Sequence, residues 1–145
     1  MRSSEYISKI MTRKLITLKI TDDLFKAEKL FKEHRIRHIP VVDNQKHIVG
    51  MLSLTDLNRI SFLDSYDEDE IQIDNAIYEM LCIEQLMVKS IVKITSDVTI
   101  KDAAEILAKN EFHALPVVDN GVLVGIVTTT DLLLYLISYC ESEEI

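Results

Sequence analysis

The sequence is poor in cysteine and in positive charge, and each shortage excludes a class of protein. The chain has 145 residues and two cysteines, Cys82 and Cys140, which lack the spacing of a metal site. They provide neither a disulfide framework nor a cysteine-rich metal centre. The formal net charge is −8, which argues against general binding to nucleic acid or to an anionic membrane, because such binding needs a basic face.

Long hydrophobic runs are also absent. The longest, Leu132–Ile137, is far shorter than the roughly 20 residues that a bilayer-spanning helix needs. The stretch from Met1 to Met11 has no apolar h-region, so we expect no signal peptide. Because 48% of the residues are hydrophobic, the chain can still form a core. These features predict a globular cytoplasmic protein with neither membrane nor nucleic acid as a partner.

The only two prolines occupy the same position in two copies of one sequence motif. Pro40 lies in HIPVVDN and Pro116 lies in ALPVVDN, 76 positions later. Each motif leads to an apolar strand with a central glycine, Gly50 or Gly125, and these lie 75 positions apart. The lost residue falls in the intervening turn, where a deletion is tolerated best. An internal repeat of this length indicates one supersecondary unit that buries its apolar face against its twin.

Each copy has the pattern of a β-α-β-β-α unit, since β-branched runs alternate with segments of helical periodicity. The first copy predicts strands at residues 15–18, 39–42 and 48–52, with helices from Asp22 or Asp23 and from Thr55 or Asp56 to Leu63. The second predicts strands at 91–94, 115–118 and 123–127, with helices over 99–110 and 131–139. Further helices are expected over 4–11 and 73–81, with 83–87 leading into the second copy.

We therefore divide the sequence into four segments. Residues 1–63 hold the first repeat with its lead-in helix, and residues 73–140 hold the second repeat with its own. Between them lies an acidic linker at 64–72, and residues 141–145 form a frayed acidic tail.

In this order and in tandem, these motifs resemble the cystathionine-β-synthase (CBS) domain pair, or Bateman module. The resemblance runs from about Ile7 to Tyr139. It implies an α/β (α+β) fold in which two β-α-β-β-α repeats pack as a pseudo-two-fold pair. It also implies that clefts between the repeats bind an adenosine-containing regulatory ligand, such as AMP, ADP, ATP or S-adenosylmethionine. Such a ligand is not a cofactor.

The repeated [ST]xxD ending supplies the first candidate site residues. Asp56 follows Ser53 by three positions, as Asp131 follows Thr128. The resemblance implies that the aspartates bind ribose hydroxyls and that Ser53 and Thr128 contact the same ligand. The alternative is structural, because a hydroxyl three residues before an acid is also a helix-capping pattern.

A basic cluster before Pro40 supplies the second set. The resemblance implies that Arg35, Arg37 and His38 contact ligand phosphates, as does His113 in the second copy. The aligned stretch Glu111–Ala114 is otherwise not basic, so the two copies are electrostatically unequal. The alternative is a solvated helix end, with cations at the negative pole of the helix dipole.

The first strand of each copy supplies the third set. The resemblance implies that Ile16 and Thr17 line an adenine slot in the first copy, and Val92 and Lys93 in the second. Lys93 stands where the first copy has Thr17, which is a departure between the copies. Without the resemblance, these residues would be read as core strands.

Other constellations do not predict chemistry. The His34/His38 pair straddles a predicted helix end, and the acidic run Asp64–Glu70 lacks the central glycine of a calcium loop. We find no glycine-rich phosphate loop and no catalytic triad pattern. The sequence therefore predicts neither an enzyme nor a metal protein.

The apolar run Leu132–Ile137 leaves the last helix almost without a polar side. Such a helix is buried or forms an interface, and we expect a homodimer. The alternative is that Ile73–Leu86 covers it. We interpret the protein as an adenine-nucleotide-binding regulatory module that acts in trans on an unknown effector protein. The alternative function is an interaction or dimerisation module that binds no ligand.

Overall fold

The fold is given by a computed structural model, in which the structure describes residues 5–60 and 76–143. The predicted acidic linker at 64–72 lies outside the described residues. So do the predicted helix end at Leu63 and the helix start at Ile73.

A three-stranded sheet forms from the first repeat. Its order is β1 (Leu18–Lys19), β2 (His38–Val42) and β3 (Ile48–Ser53), with β1 parallel and β3 antiparallel to β2. The predicted strand at 15–18 is displaced, because only Leu18 is fully buried and main-chain pairing begins there, opposite Val41.

Two helices accompany this sheet. Helix α1 (Leu24–His34) begins after Asp23, whose carboxylate accepts a hydrogen bond from the Lys26 N–H at 2.8 Å. This cap satisfies one of the free amides at a helix start. Helix α2 (Leu54–Ile60) follows β3 directly. A helical stretch at 76–80 and the short helix α3 (Ile83–Leu86) follow later in the chain.

The second repeat forms an antiparallel pair, β4 (Ala114–Asp119) and β5 (Val122–Thr128). Ile94 adds one parallel bridge to Val117. The predicted strand at 91–94 is therefore reduced to one residue, because Ile94 alone among the four is buried.

The helices of this repeat follow the pattern of the first. Helix α4 (Ile100–Lys109) is capped by the Thr99 hydroxyl, which accepts from the Asp102 N–H at 3.1 Å. Helix α5 (Thr129–Glu143) extends beyond the predicted range of 131–139 and includes the start of the expected tail. No helix within residues 5–60 and 76–143 combines the length and apolar character that crossing a membrane requires.

The first lead-in is a single 3-10 turn, Ile7–Lys9, where a helix over residues 4–11 was predicted. Its main chain is used elsewhere. The N–H groups of Ile7 and Ser8 donate to the carbonyls of Val98 and Ser96 at 2.7 and 3.3 Å. Beyond this turn, the Thr12 N–H donates to the distant Ile126 carbonyl at 2.8 Å, so the segment does not continue as a helix.

The chain forms two compact units, and their boundaries do not coincide with those of the two sequence repeats. One unit consists of Met1–Leu15 with Val92–Ile145, and the other is Ile16–Ile91. Each lead-in therefore belongs with the repeat of the other half, whereas we expected each to stay with the repeat that follows it.

Main-chain pairing accounts for this exchange. Thr12 and Ile126 each donate an N–H to the other's carbonyl, at 2.8 and 3.0 Å. Val88 and Met51 make the same reciprocal pair at 2.9 and 3.0 Å in the other unit. Each lead-in thus extends the hairpin of its unit by one bridge.

The glycine of each hairpin accommodates a lead-in methionine. A Cβ atom added to Gly50 would lie 2.2 Å from Met87 Sδ, and one added to Gly125 would lie 2.6 Å from Met11 Sδ. Both methionines are buried, at 8% and 7% exposure. The repeated glycines are therefore required for close packing of the lead-ins rather than for backbone freedom.

We expect Gly50→Ala to lower the free energy of unfolding by about 1–3 kcal/mol, the usual cost of overpacking a core. Chemical denaturation measures this change. In a double-mutant cycle, Met87→Ala should relieve much of the penalty, because it removes the clashing sulfur. Strictly additive effects of the two substitutions would show that the contact with Met87 is not the cause.

Candidate functional site

In each unit, two motifs that are distant in sequence meet at one end of the sheet. His38 pairs with Ser53 across the hairpin, and the Leu54 N–H donates to the Arg37 carbonyl at 2.8 Å. The predicted phosphate-binding stretch therefore lies beside the start of α2, which carries Asp56.

The second repeat has the same geometry. Ala114 pairs with Thr128, and the Thr129 N–H donates to the His113 carbonyl at 3.0 Å. His113 is thereby placed beside the first residue of α5, two positions before Asp131.

Asp56 is the third residue of α2 and forms a reciprocal cap with Ser53, which precedes the helix. Its Oδ2 accepts from the Ser53 N–H at 3.1 Å and from the Ser53 hydroxyl at 2.8 Å. The Asp56 N–H donates back to Ser53 Oγ at 3.1 Å. Its carboxylate is 12% exposed, and Arg59 Nη1 lies 3.5 Å from Oδ1.

Asp131 caps α5 in the same way. Its Oδ2 accepts from the Thr128 N–H at 2.9 Å, and its own N–H donates to Thr128 Oγ1 at 3.1 Å. The Thr12 hydroxyl, from the lead-in, also donates to Oδ2 at 3.5 Å. The capping interpretation thus accounts for Oδ2 of each carboxylate, whereas Oδ1 takes no part in the capping bonds.

The basic residues surround the end of α1 and the start of β2. Arg35 ends α1 in the left-handed conformation, with φ of 52°. Arg35 and Arg37 are exposed, and His38 is half-buried. His113, in the other unit, is exposed. By contrast, Lys32 forms an ion pair with Glu28 at 2.6 Å, so the solvated-helix-end interpretation suits Lys32.

The residues predicted to line the adenine slot lie just before the residue at which each repeat first pairs with its hairpin, Leu18 in the first repeat and Ile94 in the second. Ile16 and Thr17 are half-buried and stand just before Leu18, which pairs with Val41. Since β1 runs parallel to β2, they approach the end of the sheet where β2 begins. The structure therefore directs all three sets of first-repeat candidates to one end of one unit.

The corresponding residues of the second repeat differ in exposure. Val92 is 45% exposed, and Lys93 is exposed as well. Both precede Ile94, whose N–H donates to the Pro116 carbonyl at 3.1 Å. They too approach the end of the sheet that carries Thr128 and Asp131.

Sequence reasoning missed two residues that touch the aspartates, Thr12 and Arg59. The i,i+3 spacing on a helix could have indicated the contact of Arg59 with Asp56. The contact of Thr12 with Asp131 spans 119 positions, and only the exchange of the lead-ins brings it about.

A groove of about 580 Å³ runs along α5 and was also missed. Asp131 lies on its wall, together with Glu5, Lys9 and Tyr135. The Tyr135 hydroxyl donates to the Glu5 carboxylate, and this hydrogen bond raises the pKa of Tyr135 above its usual value. Lys9 pairs with the same carboxylate at 2.6 Å. Among the described residues, no three His, Cys, Asp or Glu side chains form a group that could hold a metal ion.

Comparison with known proteins places the repeat in a family. The model of the CBS domain matches residues 7–62 and again residues 83–138. The uncharacterized protein MJ1225 of Methanocaldococcus jannaschii is 30% identical over 128 residues, which make up 88% of this chain and 41% of that protein. The chain thus spans less than half the length of this relative.

Solved structures show the same fold. CBSX2 from Arabidopsis thaliana, a CBS-pair protein, matches with a TM-score of 0.81 and 26% identity, over 95% of this chain and 98% of that one. CBSX2 in complex with AMP matches at 0.77 and 24% identity, over 93% and 98% of the two chains. The CBS domain pair of MJ0100, in complex with 5-methylthioadenosine and S-adenosyl-L-methionine, matches at 0.76 and 22% identity, over 92% and 97%. The predicted α/β (α+β) fold class is confirmed.

The left-handed backbone of Arg35 allows a test of whether a residue of the candidate site lowers the free energy of unfolding. A left-handed backbone disfavours residues with a Cβ atom, so Arg35→Gly should raise the free energy of unfolding by about 1 kcal/mol. Lys46→Gly is the matched control, because Lys46 has φ of 64° in a turn remote from the cluster. Denaturant titration measures both. A loss of stability in Arg35→Gly alone would show that its side chain makes a structural contact.

Proposed function

The chain belongs to the CBS domain family, and we propose that it is a cytoplasmic regulatory module that binds an adenosine-containing ligand and acts on a partner protein in trans. The observation that carries the proposal is the repeated aspartate, Asp56 or Asp131, at the start of a helix beside the candidate phosphate and adenine residues. The ligands of CBSX2 and MJ0100 support the adenosine class.

The chemistry of the site suits a nucleoside. In each aspartate the capping bonds use Oδ2, so Oδ1 is the oxygen that would accept a hydrogen bond from a ribose hydroxyl. A carboxylate is a strong acceptor of such bonds. In the first repeat, Arg37 and His38 would donate to phosphate oxygens. The apolar side chains and main-chain groups before β1 would hold the adenine ring.

Charge should make the two sites unequal. The first repeat has Arg35, Arg37 and His38 where the second has Glu111, His113 and Ala114. An acidic side chain near a polyphosphate repels it, whereas guanidinium groups attract it. The site of the first repeat is therefore the one we assign to ligands with phosphate.

Binding should depend on the two aspartates. Asp56→Ala and Asp131→Ala should each weaken adenine-nucleotide binding, since losing hydrogen bonds to a charged acceptor costs about 1.5–3 kcal/mol. A 2′-deoxy ligand should bind the unaltered protein less tightly than its ribo counterpart. Calorimetry measures both effects, after a thermal-shift screen of AMP, ADP, ATP and S-adenosylmethionine. A ligand at 100 times its dissociation constant stabilises the folded state by about 2.7 kcal/mol.

Unchanged affinity in both aspartate variants would refute the ribose role. The absence of any stabilising adenosine ligand would favour the alternative function, an interaction module whose clefts are empty.

A homodimer is the second part of the proposal. Helix α5 exposes four large apolar side chains within five positions, namely Leu133, Leu134, Leu136 and Ile137, at 53%, 60%, 41% and 53%. Water-exposed apolar surface of this extent is typical of an interface. A second copy of the chain is the partner that we assign to it.

Leu133→Glu should therefore convert a dimer into a monomer, because it places a charge in the apolar contact. Light scattering over a range of protein concentrations measures the mass. Ala108→Glu on the exposed side of α4 is the control and should leave the dimer intact. A monomeric mass for the unaltered protein at high concentration would contradict the proposal.

A further inference from the structure

The residue three positions after each aspartate is charged in the first repeat and apolar in the second. Arg59 follows Asp56, and Leu134 follows Asp131. Arg59 Nη1 lies 3.5 Å from Asp56 Oδ1, and Oδ1 is the oxygen that the capping bonds leave over. Leu134 offers no hydrogen-bond donor, and no hydrogen bond within the described residues uses Oδ1 of Asp131.

The lead-ins add to the contrast. Thr12 donates its hydroxyl to Asp131 Oδ2, whereas the aligned residue of the other lead-in is Val88, which has none. The other charged residues that line its groove, Glu5 and Lys9, form an ion pair with each other. The carboxylate of Asp56 is thus balanced by a guanidinium, while that of Asp131 faces neutral groups and a compensated pair.

On the premise of the proposed adenosine-ligand site, we infer that Arg59 makes the first-repeat site select phosphorylated ligands over unphosphorylated ones. Leu134 leaves the second-repeat site without this selection. Arg59 is thereby a specificity-determining residue that the repeat pattern alone does not reveal.

Two effects of Arg59 act in the same direction. A neutral nucleoside must displace the guanidinium from Oδ1 and offers it no other anionic partner, which disfavours the nucleoside. A phosphorylated ligand offers the guanidinium a new anionic partner, because arginine has five N–H donors in a planar fork. The side chain is 75% exposed, so its present ion pair is weak and it is able to turn toward a phosphate.

Leu134 cannot reproduce either effect. Its side chain neither competes for Oδ1 of Asp131 nor binds an anion. We therefore expect a ligand at Asp131 to be held mainly through its ribose hydroxyls, and a phosphate to add less affinity there than at Asp56, because His113 is the phosphate candidate of the second repeat. Nucleosides and their uncharged 5′-derivatives are the chemical class that this site would accept.

The ratio of the adenosine and AMP dissociation constants tests the inference, because both effects of Arg59 change it in one direction. In an Asp131→Asn background, calorimetry reports the first-repeat site. There, Arg59→Leu should lower the preference for AMP about tenfold, the size expected for one charge-assisted contact. Lys29→Leu is the matched control, because it removes a positive charge from α1 of the same unit and, within residues 5–60 and 76–143, Lys29 forms an ion pair only with Glu33.

The reciprocal exchange tests the second repeat. In an Asp56→Asn background, Leu134→Arg should raise the preference for AMP above that of the parent. Both positions are exposed in helices, and circular dichroism checks that each variant is folded. Because Leu134 also belongs to the proposed dimer surface, light scattering identifies a protein concentration at which parent and variant have the same mass, and the affinities are compared there.

The outcomes separate this inference from the proposed function. Binding of both ligands with an unchanged ratio in Arg59→Leu, or the same change in Lys29→Leu, overturns the role of Arg59 while the adenosine site stands. Failure of the unaltered protein to bind either ligand overturns the proposed function and this inference together. A lowered ratio in Arg59→Leu with a raised ratio in Leu134→Arg establishes it.

Discussion

The close approach of a lead-in methionine to a hairpin glycine, made once in each unit, is the contact on which the rest of the structure depends. It lets the lead-in backbone pair with the hairpin, so that Thr12 meets Ile126 and Val88 meets Met51. A hairpin alone is marginally stable in water. The added chain pairs with one strand of each hairpin, and the helix that carries the site aspartate starts directly after that strand.

The parts of the fold that the sequence predicts are those decided locally. The β-branched runs around Pro40 and Pro116 lie in β2 and β4, and Asp23 and Thr99 cap helices, because each pattern contains its own physical cause. The first lead-in fails as a helix, and the strand at 15–18 is displaced, because their main-chain partners lie far along the sequence. The exchange of lead-ins could not be predicted from the sequence. The segments Ile7–Met11 and Ile83–Met87 have the same apolar pattern, so either segment could have packed against either repeat.

The candidate site also has a part that the sequence predicts and a part that depends on tertiary contacts. The repeat is enough to select Asp56 and Asp131, and hairpin pairing explains why Arg37 and His113 lie near them. The sequence does not indicate which oxygen of each carboxylate is already used, and that detail decides what a ligand can bind. It comes from capping bonds and from neighbours such as Thr12 and Arg59. The function follows from the residues that the copies share, whereas the specificity follows from those in which they differ.

The exchanged lead-ins also determine which unit can fold first during synthesis. The unit Ile16–Ile91 is continuous in sequence, so all of its residues leave the ribosome before the second repeat is made. The other unit needs Met1–Leu15 as well as Val92–Ile145, and domains generally fold as units during synthesis. Ile7 and Met11 thus emerge before the unit Ile16–Ile91 but are buried after it, because they stay in water until β5 exists. During that interval the nascent chain presents an apolar segment to any chaperone that is near.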